Sequence, residues 1–492
     1  MSSAPGTPLF RPIAWRSLSQ GAVTPTFDGL TAVAPCWGVA ALFSIVGDPW
    51  GLTGREGAVY MLLAWSVVAT SVMTILFPRK TYAFVALAAC TVLLYALRLP
   101  VASNNKTITT MFDLCILLSG AVLAAQGKLT RERLYESLRT PARLILATMY
   151  FYGIFHKINT DFLDPTVSCA VGLYKPLAEP FGLEDNLFGR YLAIWSTFVI
   201  EGIAIVALFW KRWFAIGLTS ALVFHYIIPI SAYSWYMDFS SLVFALYMLT
   251  MPRDASAKIY EITCRHVVEP LRSLFGRIGI LAPIAALLAI ATLVVLLLAL
   301  ANPGRPALML LHSIFILTWA VVGGVAMTAM IYAAMLYLPY RGGTAGRSPY
   351  AAWNRIVPVL YFVSCLSPYL GLKTESSISM FSNLHTEGGT TNHLLFSRPP
   401  YLFDYQQDVV QVVASSSPSL TRTANEGRMN VLFSIEEFLR RHPDQWVTYI
   451  HDGQLIEQAT AASLTLESAT WLERKLLIFK QVDPNQPKVC TH

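Results

Sequence analysis

The sequence predicts an all-α polytopic membrane bundle of about 11 transmembrane helices with a small C-terminal α+β extramembrane domain. Composition predicts the bundle: 55% of the 492 residues are apolar and only 13% are charged, against roughly a quarter charged in ordinary soluble domains. Long apolar runs support it. Gly57 to Phe77 and Ile278 to Ala301 reach spanning length, the second without any charge, since about 20 residues cross a hydrocarbon core of roughly 30 Å. The domain follows from a change near Ser367, after which the chain turns polar with short alternating runs.

In chain order, residues 1–28 contain Arg11 and Arg16 but no compact apolar run with a small-residue cleavage pattern. No removable signal peptide is expected, and this segment is assigned to the cytoplasm. Spans are expected at 29–46, 57–77, 81–97, 107–125, 142–156, 190–210, 212–230, 237–251, 278–301, 307–337 and 351–370. Segments 142–156 and 237–251 are short and need tilt, partial immersion or flanking residues to cross. Counted over the segments before and between the spans and at the span ends, a cytoplasmic N-terminus places 19 basic residues on that side and 7 on the other, the asymmetry the positive-inside rule demands. An odd number of spans then puts the C-terminus outside, and a bacterial inner membrane is the expected location.

The chain divides into a transmembrane domain over 29–300, additional helices over 301–370 and an extracytoplasmic domain over 371–492. In the last, Tyr449 to Ile456 reads as two strands about an Asp452-Gly453 turn, and Ile435 to Arg441 as a helix ended before Pro443. Leu476 to Val482 reads as a further strand. The 7 cysteines are scattered, with neither CxxC nor zinc spacing, and are read as small core residues; no metal is expected. The net charge of +7 lies in loops between spans, so topology explains it and no nucleic-acid partner is implied.

Polar residues inside the spans carry the functional signal. A helix rise of about 1.5 Å per residue places Lys157, His156, His225, Asp113, Asp238 and His312 in the outer half of the bilayer and Glu201 near its midplane. Ionisable groups at such depths avoid lipid and turn towards partners or a polar cavity. Lys157, His225, Glu201 and His156 are the catalytic candidates; Asp161, Asp113 and Asp238 are substrate-binding candidates. Lys157 leads because an amine kept neutral in an apolar pocket is a competent base. Structural pairing is the alternative, Lys157 with Asp161 four residues on and Glu201 with His225. The segment Gly371 to Phe396 adds His385, Asn392 and His393 as substrate-binding candidates, either in a lid over the outer mouth or in an ordinary surface loop.

Tyr150-Phe151-Tyr152-Gly153 through Lys157-Ile158-Asn159-Thr160-Asp161-Phe162, together with Phe224-His225-Tyr226 and Met237-Asp238-Phe239, carry a family likeness. Across roughly residues 25 to 300 they resemble the horizontally transferred transmembrane domain of vitamin K-dependent gamma-carboxylases and their bacterial relatives. The resemblance implies that Lys157 deprotonates a reduced quinone, to which oxygen adds; the resulting strong base takes a proton from a peptide glutamate, which captures carbon dioxide. The cofactors so implied are a vitamin K-like quinol, oxygen and carbon dioxide, and the enzyme would be a lyase. His156 stands where the carboxylases have a second lysine, and the extramembrane part is far smaller than theirs. A lipid- or isoprenoid-modifying enzyme without a quinone and a non-enzymatic peptide-maturation or transport protein therefore stay open, with the bilayer and a lipid-soluble or peptide substrate as partners.

Overall fold

A computed structural model of the chain describes residues 28–46, 49–54, 57–101, 103–230, 236–263, 265, 305–336, 352–464, 469–483, 487–488 and 490. The expected span 278–301 lies outside the described residues. The chain runs through α1 (Gly29–Val46), α2 (Ala58–Leu76), α3 (Thr81–Arg98), α4 (Asn104–Ala125), α5 (Arg131–Phe155), the single turn α6 (Thr160–Leu163), α7 (Cys169–Ala178), α8 (Leu187–Phe209), α9 (Phe214–Ile227), α10 (Met237–Thr250), α11 (Arg253–Thr263), α12 (Arg305–Leu336) and α13 (Ile356–Ser364). Among the described residues 6 helical stretches are long and apolar enough to cross a membrane: α2, α3, α4, α8, α12 from Ser313, and α9 with its flanking turns. This makes the chain an integral membrane protein.

Segment 142–156, short by its apolar run, belongs to a helix of 25 residues. Its added first turn is polar and is capped by Thr130, whose hydroxyl accepts the Arg133 backbone N–H at 3.3 Å. Run 351–370 departs from expectation. It breaks into α13, only 9 residues long, and a turn over Ser367–Leu370, where Pro368 at the second position of the turn has no N–H to continue a ladder. α10, with 14 residues, is buried along its whole length and packs against α1, α5 and α9. It is the centre of the bundle, and its all-round apolar surface is the reason.

The C-terminal domain carries an antiparallel sheet of order β2-β1-β3-β4 from β1 (Val409–Ser415), β2 (Met429–Val431), β3 (Val447–His451) and β4 (Gln454–Ala459). His451 faces Gln454 across the expected Asp-Gly turn, where Asp452 and Gly453 have φ of 48° and 75°, the left-handed pair such a hairpin needs. The expected helix is present as Leu432–Arg441, and its Leu432, Ile435 and Leu439 pack on Val410, Val412 and Val447. The expected strand over 476–482 is not formed. Trp471–Leu476 is a helix begun by a Thr470–Glu473 capping box, and only Val482 pairs, with Met429.

The cysteines correct the sequence reading. Cys36, Cys90, Cys115 and Cys365 are free, but Cys169 is joined to Cys490 across 321 residues of chain. The domain meets the bundle at the end where α3 and α5 stop and α4 and α8 begin. There Lys475 Nζ donates to the carbonyls of Ala96, Leu97 and Leu99 at 3.2–3.4 Å, and Leu394 N–H donates to Ile158 O at 2.9 Å.

Candidate functional site

A cavity of about 60 Å³ lies among α4, α5, α8, α9 and α10, and Lys157, Glu201 and His225 all line it. Lys157 and Glu201 are each 6% exposed and His225 is 2% exposed. Lys157 Nζ donates to Glu201 Oε1 at 2.6 Å and stands 5.7 Å from the centre of the Phe162 ring. Among the described residues neither Glu201 Oε2 nor either ring nitrogen of His225 has a hydrogen-bond partner. Aromatic and aliphatic groups, including Met149, Tyr150, Phe162, Phe224 and Phe239, form most of the rest of the wall, with the polar Asn104 and Thr197 among them.

Two expected pairings are therefore corrected. Lys157 pairs with Glu201 on α8 and not with Asp161, because α5 ends at Phe155 and the turn at Lys157 aims its side chain into the bundle. Asp161 instead accepts Asn392 Nδ2 at 2.9 Å and Lys488 N–H at 2.7 Å. Glu201 does not hold His225, whose ring nitrogens have no hydrogen-bond partner among the described residues.

The chain makes room for the carboxylate at Gly153. A Cβ there would stand 3.0 Å from Glu201 Oε2, closer than packed side chains tolerate without displacement. Gly153→Ala is expected to push the carboxylate off Lys157 and to destabilise the protein by about 1–3 kcal/mol; thermal melts of the purified variant check this.

The remaining candidates lie around the cavity. His156 is fully buried but faces away from it, with Nδ1 on Tyr369 Oη at 2.8 Å and Nε2 on Ser377 O at 3.0 Å. Asp113 accepts Trp37 Nε1–H at 2.9 Å, and Asp238 accepts its hydrogen bonds from Asn105 and from Phe239 N–H; neither lines the cavity. The His312 side chain lies outside the described residues. Among the described residues no group of three or more His, Cys, Asp or Glu is placed to hold a metal.

The segment after α13 folds over the cavity as a roof. Ile378, Met380 and Phe381 line it, and Asn104 and Asn159, which the sequence reading did not assign, pin it down. Asn104 Oδ1 accepts Ile378 N–H at 2.6 Å; Asn159 Nδ2 donates to Ser382 O at 2.6 Å and to His156 O at 2.7 Å. The roof backbone is strained. Ser376, Ile378, Phe381 and Asn383 all have φ between 53° and 62°, a left-handed region costing roughly 1–3 kcal/mol for each non-glycine residue and persisting only where surroundings enforce it.

His385, Asn392 and His393 belong to this roof and not to the cavity wall. His385 Nε2 lies 2.8 Å from Glu387 O and its backbone N–H donates to Asn392 Oδ1. His393 Nδ1 accepts Leu395 N–H at 3.2 Å, which fixes Nε2 as the nitrogen that donates to Phe155 O at 2.9 Å. Burial holds this imidazole below its ordinary range, partly offset by the bond to Phe155 O. An unfolded ring takes up a proton near its ordinary value of 6.5, whereas the folded ring resists it. Local stability is thus present at neutral pH and is lost progressively as pH falls below about 6.5 towards the depressed folded value. A nitroxide attached at Thr391 is expected to gain mobility over that window, and His393→Asn to abolish the transition.

No protein-family model, curated protein or solved structure matches the chain, so the likeness to the carboxylase membrane domain stands on the quoted residues alone.

Proposed function

We propose that the protein is a membrane-embedded enzyme in which Lys157 acts as a general base on a lipid-soluble substrate, and that the substrate is a quinol, as the resemblance to vitamin K-dependent gamma-carboxylases implies. The observation that carries the reading is the cavity at which Lys157, Glu201 and His225 converge. A purely structural set of polar residues would be mutually paired, yet Glu201 Oε2 and both His225 nitrogens are left with hydrogen-bonding capacity beside the Lys157 amine. Glu201 holds Lys157 against the cavity wall as an ion pair and, by taking the proton of that pair, leaves the amine neutral to act as the base. His225 can pair with a hydroxyl or carbonyl of the bound molecule through either ring nitrogen. In the quinol reaction the Lys157 amine takes the hydroxyl proton and the quinol anion reduces oxygen; the chain's own part is to bind, orient and exclude water.

The disulfide bears on orientation. Cystines persist on the oxidising side of a membrane, so Cys169–Cys490 supports an extracytoplasmic C-terminal domain and agrees with the 19 to 7 distribution of basic loop residues. Bacterial inner membrane is the proposed location. The test supplies reduced naphthoquinone and oxygen to wild type and Lys157→Ala in nanodiscs and assays the epoxide by mass spectrometry. Epoxide from wild type alone supports the reading. Its absence from both folded proteins removes the quinol chemistry and turns the search to lipid substrates without a quinone.

A further inference from the structure

The cavity over Lys157 and Glu201 measures about 60 Å³, enough for a few waters, whereas sites for ring-containing ligands run from roughly 300 Å³ upwards. If this cavity is the substrate site, part of its wall must move. The helical walls pack on one another along their lengths. The roof is different: a strained loop kept in place by bonds from outside itself.

Beside the bonds of Asn104, His156, Asn159 and Lys480, one group of them is made by Asn383. Its Oδ1 accepts Cys169 N–H at 2.8 Å, and its Nδ2 donates to Val167 O at 3.0 Å and to Lys488 O at 2.7 Å. The chain on one side, 167–169, and the chain on the other, 488–490, are the stretches that the Cys169–Cys490 disulfide joins. Phe381, which lines the cavity, packs in the same cluster as Cys490, Cys169 and Phe162. Lys488 N–H also donates to Asp161 Oδ2, the carboxylate that takes Asn392 from the far end of the roof. The disulfide therefore closes a clasp around the loop that covers the cavity.

We infer that the Cys169–Cys490 disulfide is a redox clasp on the roof: oxidised, it holds the substrate cavity closed, and reduced by a dithiol it lets the roof lift and admit substrate. The inference rests on reading the cavity as the substrate site. Cys169 is fully buried and Cys490 is partly exposed, so a dithiol thiolate attacks Cys490 Sγ and releases Cys169 as the leaving thiolate. The second thiol of the reagent then displaces Cys490. Both cysteines take up protons, the dithiol departs as a disulfide, and two electrons pass to the protein. The roof keeps its bonds to Asn104, His156, Asn159 and Lys480, but the two stretches that Asn383 bridges are no longer joined covalently, and the left-handed Phe381 and Asn383 lose part of the support that their conformation requires.

Hydrogen exchange of the full chain in nanodiscs, with and without dithiothreitol, tests this by reading amides 376–383 against those of α4, α5 and α8. Reduction is expected to speed roof exchange by on the order of tenfold or more, as local opening does, and to leave the helices unchanged. Cys490→Ser should show the fast roof without reductant and no further response to it. Asn383→Ala should loosen the roof with the disulfide intact. A roof that keeps its protection after thiol titration has confirmed reduction overturns the clasp, as does protection lost throughout the helices, which would make the disulfide a general staple. Protection retained in Asn383→Ala also counts against it. Because the readout is exchange and not turnover, a negative epoxide assay leaves the result standing, and a rigid roof on an active enzyme sinks the clasp alone.

Discussion

Replacing Lys157 by methionine is expected to lower turnover by about 10²- to 10⁴-fold, the range for removing a general base, and to destabilise the protein at the same time. Methionine matches the length and apolar stem of lysine, so the cavity wall survives. Glu201 does not fare as well. It is 6% exposed and, among the described residues, accepts its one hydrogen bond from Lys157 Nζ, and breaking a buried pair from one side costs about 3–5 kcal/mol. Removing both partners in Lys157→Met/Glu201→Leu leaves no stranded charge and is expected to restore most of the stability and none of the turnover. Thermal unfolding and rates of the single and double variants separate the roles. A double variant with wild-type turnover would make the pair structural only, and a single variant as stable as wild type would mean that no buried charge had been left behind.

The membrane helices were legible because each is defined by its own composition. Segments 57–77, 81–97 and 307–337 match observed helices to within a few residues, since an apolar run long enough to cross needs no distant partner to specify it. The cluster at the cavity was legible in part. Ionisable residues are rare in apolar helices, so Lys157, Glu201 and His225 stood out individually. Which of them meet is a matter of helix packing, and periodicity alone favoured Lys157 with Asp161 on a shared helix face. The helix stops at Phe155, which removes that face. A lid over 371–396 was one of two readings of the sequence, but what anchors it left almost no trace. Its conformation depends on Asn104, Asn159 and Asn383 reaching carbonyls and amides far away in the chain, and such contacts have no period. The Cys169–Cys490 pair was hidden for the same reason, its partners lying in loops 321 residues apart.

Asn159 offers the sharpest test of how the roof and the base are coupled. Its side chain is fully buried with both ends engaged: Oδ1 accepts Phe162 N–H at 2.7 Å, starting α6, while Nδ2 bridges His156 O and Ser382 O. One amide thus joins the end of α5, the next helical turn and the roof, two residues beyond Lys157. Asn159→Leu keeps the volume but strands one buried donor and two buried acceptors, and at about 1–3 kcal/mol for each group the expected loss is on the order of 4 kcal/mol. Asn159→Asp decides what that loss means. Aspartate caps a helix as well as asparagine does, so if the residue only starts α6, the variant should resemble wild type. The bridge, however, needs a donor. A carboxylate facing two carbonyl oxygens repels both, and the roof should lift while α6 persists. We expect Asn159→Asp to lose protection at 376–383 and turnover together, with thermal stability of the bundle largely kept. The aspartate variant matching wild type in both would reduce Asn159 to a cap and leave Lys157 positioned by Glu201 alone.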